Sequence, residues 1–224
     1  MPRRLVDSLC PNSQPGSKHG SMRPSQRSRA VLGCAVAAGL LAVGVGPASA
    51  DRVEWIDSAG DMTGYTESSE GAGATPAPDH HAGDVTSVVV RHGRHTVTMK
   101  VSFAQLRRSH FNAFFGRLRT ATVTRHFFVE DERGARPRLY VVNKRFQPAC
   151  KGATLHVDYQ VNTSAIRVPR TCLQRPHWVK ATAISANDTS DGSNTYYLDD
   201  AFSPSPIEDT EGRGTWSARV HRRH

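Results

Sequence analysis

The chain has 224 residues, 29 Lys/Arg against 20 Asp/Glu, and a formal net charge of +9. Residues 1–50 hold six of the bases and one acid, so the remaining 174 residues carry only +4 and most of the apparent case for a nucleic-acid partner is removed. That length suits one domain with a single sizeable core.

In chain order, the first element is a leader. Ala30–Val45 is a run of small apolar residues, preceded by Arg23, Arg27 and Arg29 and followed by Ala48-Ser49-Ala50. A basic end, a short apolar stretch and small residues before the cut are what a signal peptidase recognises. Cleavage is expected between Ala50 and Asp51, releasing a secreted, extracellular protein. A start at Met22 would give a leader of ordinary length and omit residues 1–21. The apolar run spans 16 residues with three glycines, short of the about 20 that a transmembrane helix needs. No membrane span is expected once the leader is gone.

Residues 51–84 carry one base and eight acids, with Gly71, Gly73, Pro76 and Pro78. They read as an acidic flexible segment holding at most a short edge strand at Val53–Asp57. From Val85 the texture changes to period-two alternation. Val97, Met99, Val101 and Phe103 alternate with polar residues, as do Leu155, Val157, Tyr159 and Val161. One face in the core and one in water is the mark of an antiparallel strand. Further strands are expected at Val85–Val90, Thr120–Val129, Arg138–Asn143, Ile166–Val168 and Trp178–Ala183, with turns at Gly93 and at Asp131–Gly134. Ala104–Leu118 shows helical spacing through Leu106, His110, Phe114 and Leu118. The tail 203–224, with Pro204 and Pro206, is expected to be disordered. The fold expected over residues 85–202 is all-β, an antiparallel sandwich of jelly-roll-like kind. Cys150 and Cys172 remain after leader removal, and in an oxidising compartment they are expected to form its one disulfide.

The opening Asp57-Ser-Ala-Gly-Asp61, with Gly83-Asp84 leading into a Val-rich strand, resembles small secreted β-sandwich proteins of high-GC Gram-positive bacteria. Val168-Pro-Arg-Thr-Cys-Leu173 and Pro176-His-Trp-Val179 fit the same group. The opening is also faintly similar to jelly-roll carbohydrate-binding modules, and that resemblance implies a structural calcium.

Calcium takes six to eight oxygens from carboxylates and carbonyls on glycine-held loops. Asp57, Asp61, Asp84 and Asp200 are the candidate ligands, because the first and last strands of a sandwich can be neighbours. The competing reading is that these aspartates serve as turn and cap residues. Trp55, Trp178, Tyr196 and Tyr197, with Tyr65, are the aromatics that could form a sugar platform. Residues 85–182 carry 18 bases and four acids, residues 183–224 four bases and seven acids. Either the acidic flanks compensate the basic body, or its basic face binds a glycan or cell-wall polyanion. Phenylalanines lie among the arginines of residues 107–128, but they read as core and no nucleic-acid motif accompanies them. No nucleophile elbow, phosphate loop or His-Glu-x-x-His is present. The expectation is a monomeric, non-enzymatic binding domain; a protein-interaction or inhibitor domain and an extracellular hydrolase with dispersed residues are the alternatives.

Overall fold

The computed structural model describes residues 51–68, 71–108, 111–188, 195–203 and 214–222; the leader and Ala50 lie outside these. Thirteen strands form two antiparallel sheets, with no α-helix among the described residues. The five-stranded sheet contains β1 (Arg52–Ile56), β4 (Val85–His92), β5 (Thr96–Phe103), β9 (Thr154–Asp158) and β10 (Thr163–Pro169), in the order β1-β4-β5-β10-β9. The larger sheet contains β2 (Thr63–Ser68), β3 (Gly71–Pro76), β6 (Phe111–Arg119), β7 (Thr124–Asp131), β8 (Arg138–Val142), β11 (Trp178–Asp188) and β12 (Thr195–Asp200). Their order is β3-β2-β12-β11-β6-β7-β8, and β13 (Val220–His221) adds to β11. The chain is thus the all-β sandwich its alternation predicts. No helix among the described residues is long and apolar enough to cross a membrane.

The core is built from the inward positions of that alternation. Val88, Val90, Val97, Met99, Val101, Ile166 and Val168 of one sheet face Phe114, Leu118, Phe127, Val129, Val179 and Ala181 of the other, all buried. Burying a side chain of this size contributes about 1.5–3 kcal/mol. Cys150 and Cys172 are bonded, with Cα atoms 5.1 Å apart. The bridge ties the β8–β9 connection to a 3₁₀ turn at Arg170–Leu173 and stabilises by about 3 kcal/mol.

Three expectations are corrected. The helix over Ala104–Leu118 is instead loop followed by β6, whose Asn112, Phe114 and Leu118 point inward. Phe114 and Leu118 are four apart, a spacing that both a helix and a strand satisfy; Gly116 disfavours the helix and the aromatics favour the strand. The acidic segment 51–84 is not a flexible prelude, since β1, β2 and β3 lie within it, β1 pairing with β4, β2 with β12 and β3 with β2. The tail is not disordered at its far end. Ser217 exchanges hydrogen bonds with Ala181, and Val220 of β13 is fully buried.

Val220 is held by an inward histidine. His92 is fully buried on β4; its Nε2 accepts the Arg170 Nε–H at 3.2 Å, so its Nδ1–H donates to the Val220 carbonyl at 3.1 Å. Burial first, then the nearby arginine cations, hold this imidazole below its ordinary range, in the neutral form. The unfolded chain takes up a proton near pH 6.5 while the folded one does not, so stability falls as pH drops through and below that value. Taken as the difference between wild type and His92→Asn, which cancels the pH dependence of every other group, thermal melts at pH 7.5 and 5.5 should show the drop, at about 2–4 °C for each kcal/mol lost. His92→Asn should show a smaller drop; an equal one would assign the effect elsewhere.

Candidate metal centre

The feature that composition alone does not explain is a set of buried carboxylates at one end of the sandwich. β1 runs out at Ile56 and the chain turns through Asp57–Asp61 toward the other sheet. Asp57 donates its N–H to the Thr86 carbonyl at 3.0 Å, and its Oδ1 accepts the Ser58 N–H at 3.0 Å. Gly60 adopts φ +90°, a conformation that favours glycine, and its N–H donates to Asp84 Oδ2 at 3.0 Å. Asp84 follows Gly83 at the mouth of β4, where a Cβ on Gly83 would meet the Asn187 side chain at 3.0 Å. From the opposite sheet, Asp199 on β12 accepts the Val85 N–H at 2.6 Å. Its strand partner Ser185 hydrogen-bonds the Gly83 carbonyl. Asp199 therefore joins the two sheets at the point where Asp57, Asp61 and Asp84 gather.

The gathering is tight. One carboxylate oxygen from each of Asp57, Asp61 and Asp199 lies within 4.8 Å of the others, the one such group of three acids, histidines or cysteines among the described residues. Asp57, Asp84 and Asp199 are 7%, 0% and 1% exposed. Asp57 Oδ2, both Asp61 carboxylate oxygens and Asp84 Oδ1 are buried without a hydrogen-bond donor. The ion pair nearest the group is His81 Nδ1 with Asp84 Oδ2, at 3.9 Å and from an exposed imidazole.

Electrostatics follow from this geometry. Burial, then the Asp61 charge, pushes the Asp57 carboxyl up to about 7. Burial pushes Asp199 up to about 9 despite its hydrogen bond from Val85, and raises Asp61 and Asp84 as well. Buried carboxylates are ordinarily neutralised by a proton, a base or a metal. Two oxygens on one calcium lie at most about 5.2 Å apart, twice the longest usual bond, so the 4.8 Å cluster fits. An all-oxygen donor set selects a hard cation, calcium above all, over zinc or copper. A hydrolytic role for these acids is disfavoured, because nearly sealed carboxyls cannot reach a bond in a polymeric substrate.

Of the residues singled out from the sequence, Asp57 and Asp61 are in the trio and Asp84 adjoins it. The structure groups Asp199, in place of Asp200, with Asp57 and Asp61, while the Asp200 charge adds to the upward push on both carboxyls. Neighbours on a strand face opposite sides, and the Asp200 oxygens accept the N–H groups of Phe202 at 3.2 Å and Thr215 at 2.6 Å. The proposed aromatic platform is dispersed. Trp55 is on the edge strand β1, 39% exposed, while Trp178 lies under the Arg219 guanidinium at 4.6 Å. Tyr196 stacks on buried Tyr65, and Tyr197 packs face to face with His80 at 3.6 Å.

The sequence reading missed a second aromatic group, on the outer face of β6, β7 and β8. Phe115, Phe128 and Tyr140 are directly cross-strand in register, and Phe146 folds over Phe128 and His126 with ring centroids at 6.1 and 5.6 Å. The signal for it was present. Phe114-Phe115 and Phe127-Phe128 are adjacent pairs, and in a strand one member of each must face outward. No protein-family model, curated protein or solved structure matches this chain.

Proposed function

We propose that the protein is an exported, non-catalytic binding module, a β-sandwich whose open end is closed by one calcium ion held by Asp57, Asp61 and Asp199, with Asp84 completing the oxygen set. The observation that carries this reading is the pair of nine-tenths buried carboxylates, Asp57 and Asp84, each with an oxygen that meets no donor. A divalent cation supplies the positive charge that no described lysine or arginine supplies there. It would also link β1, the β1–β2 loop and the mouth of β4 to β12, so ion and fold are coupled. Export is supported by the leader-like segment and by the Cys150–Cys172 bond, which persists in oxidising compartments.

Calorimetric titration of chelator-treated protein with calcium chloride tests the reading. One ion per chain should bind, with Kd of about 1 mM or tighter, the range of extracellular calcium modules. Asp57→Asn and Asp61→Asn should each weaken it about tenfold or more. Wild-type protein that takes up no calcium at about 10 mM, tenfold above that range, would refute the metal centre.

A further inference from the structure

We infer that the outer face of β6, β7 and β8 is a docking surface for an acidic polysaccharide chain, which lies across Phe115, Phe128, Tyr140 and Phe146 and is gripped by Arg117, Lys144 and Arg145. This deepens the binding-module reading by naming the ligand class, and it rests on that reading for the compartment in which such a chain is met. The surface lies on the other face of the larger sheet from Asp199: the Phe115 row continues through Ile184 of β11 to Asp200 of β12, whereas Asp199 is in the neighbouring row with Ser185 and inward-facing Phe114.

The rings are arranged rather than scattered. Phe115 pairs across the ladder with Phe128, and Phe128 with Tyr140, so one row of aromatic side chains crosses three strands, about 10 Å at the usual strand spacing. The Phe115 and Phe128 ring planes are within 22° of parallel. Tyr140 is 41% and Phe146 49% exposed, two of the five large apolar side chains the described residues leave open to solvent. Phe115 and Phe128 are half-buried, Phe115 against the cluster of Tyr65, Ile184, Ala186 and Leu198, so the row opens to water at its Tyr140 and Phe146 end, and an exposed apolar patch rimmed by polar residues marks an interaction site.

Phe146 is also held in an uncommon conformation. Its φ is +56°, rare for a bulky residue. A closed turn maintains it: Asn143 Oδ1 accepts the N–H groups of Arg145 at 2.8 Å and Gln147 at 3.2 Å. The Phe146 N–H meanwhile donates to the Asn143 carbonyl at 3.0 Å. Strain of this kind costs on the order of 1–3 kcal/mol and clusters at ligand-binding positions. Here its result is to lay the Phe146 ring beside Phe128 and His126 instead of into the solvent.

Charge chooses among ligands. Next to the aromatic row, the register places Arg117 opposite His126 and His126 opposite Val142. Lys144 and Arg145 follow Asn143 on the turn after β8 and are exposed. The Arg117 guanidinium sits over the Trp216 ring at 4.8 Å, which fixes its position beside the row. Arg119 is exposed one step further along β6. The acids on this face, Glu130 and Glu132, are engaged with Arg138 at 3.3 Å. Apolar ring faces suit the C–H faces of sugars, and the flanking cations suit carboxylate or sulfate groups, so an acidic glycan matches both halves of the surface.

The experiment is calorimetric titration of the full chain with three probes: a hyaluronan decasaccharide, a neutral dextran oligosaccharide of the same length and oligo(dT). Hyaluronan should bind, dextran much more weakly, and the hyaluronan affinity should fall as salt rises. Tyr140→Ala with Phe146→Ala, and separately Lys144→Glu with Arg145→Glu, should each weaken it about tenfold or more, equivalent to about 1.4 kcal/mol. All four side chains are exposed, and unchanged melting temperatures will confirm that the variants fold. Absence of hyaluronan binding, tighter binding of oligo(dT), or aromatic variants that bind as well as wild type would each overturn the assignment. Repeating both titrations with Asp57→Asn separates this surface from the metal centre: loss of calcium with hyaluronan binding retained leaves the docking surface standing by itself, whereas calcium uptake by the wild type without hyaluronan binding leaves only the metal centre standing.

Discussion

Saturating calcium should raise the melting temperature of chelator-treated protein by about 5–10 °C. A ligand at about 100 times its Kd stabilises the folded state by about 2.7 kcal/mol, and a domain of this size gains about 2–4 °C per kcal/mol. The direction is set by repulsion. Without the ion, Asp57, Asp61 and Asp199 oxygens converge within 4.8 Å and burial deprives them of water. Asp57→Asn should therefore have two opposite effects. It removes one of the mutually repelling groups, so the calcium-free variant should melt at or above calcium-free wild type; it removes a ligand, so the calcium-dependent rise should shrink to a small fraction. Magnesium, which demands near-ideal octahedral geometry and sheds water reluctantly, should give a smaller rise. Equal melting temperatures with calcium and with chelator, and a destabilised Asp57→Asn, would together mean that the aspartates are held by protons alone.

The sandwich was legible because alternation is a local property. Val97–Phe103 and Leu155–Val157 announce a buried face without reference to their partners, and the even pair of cysteines needs only the compartment to be read as a bond. The segments that misled are those whose conformation other parts of the chain decide. Gly71–Pro76 is poor in apolar residues, yet it becomes β3 because β2 presents a free edge to it. Val220 is one apolar residue in a basic tail, and its burial depends on His92 and on the lower half of β11. The aspartate cluster shows the same division. Asp57 and Asp61 share a turn, so their association is written in the sequence. Choosing Asp199 over Asp200 requires the facing of β12, which is fixed by its pairing with β11.

Gly116→Ala should destabilise the protein by about 3 kcal/mol or more, lowering its melting temperature by about 6–12 °C. Gly116 lies on β6 between Ala183 of β11 and Phe127 of β7. A Cβ there would sit 2.0 Å from the Thr182 carbonyl oxygen, 2.7 Å from its carbon and 2.8 Å from Phe127 Cζ. Two of these atoms are backbone, so no rotamer change relieves the contact and β6 and β11 must separate locally. The close approach has a visible cause: the Arg117 N–H donates to Thr182 Oγ1 at 3.0 Å, drawing the two strands together where a fully buried Phe127 ring crosses over the glycine. Gly73→Ala on β3 is the control, since a Cβ there meets nothing within 4 Å and should leave the melting temperature within about 2 °C of wild type, as exposed substitutions usually do. Gly116 also stands between Phe115 and Arg117, which face the opposite side of the same strand. A distorted β6 should then weaken hyaluronan binding while leaving the calcium response intact, because the aspartates are on other strands. Wild-type stability in Gly116→Ala would show that the strands can part without cost and that the packing of Phe127 over β6 is not what holds the larger sheet to its register.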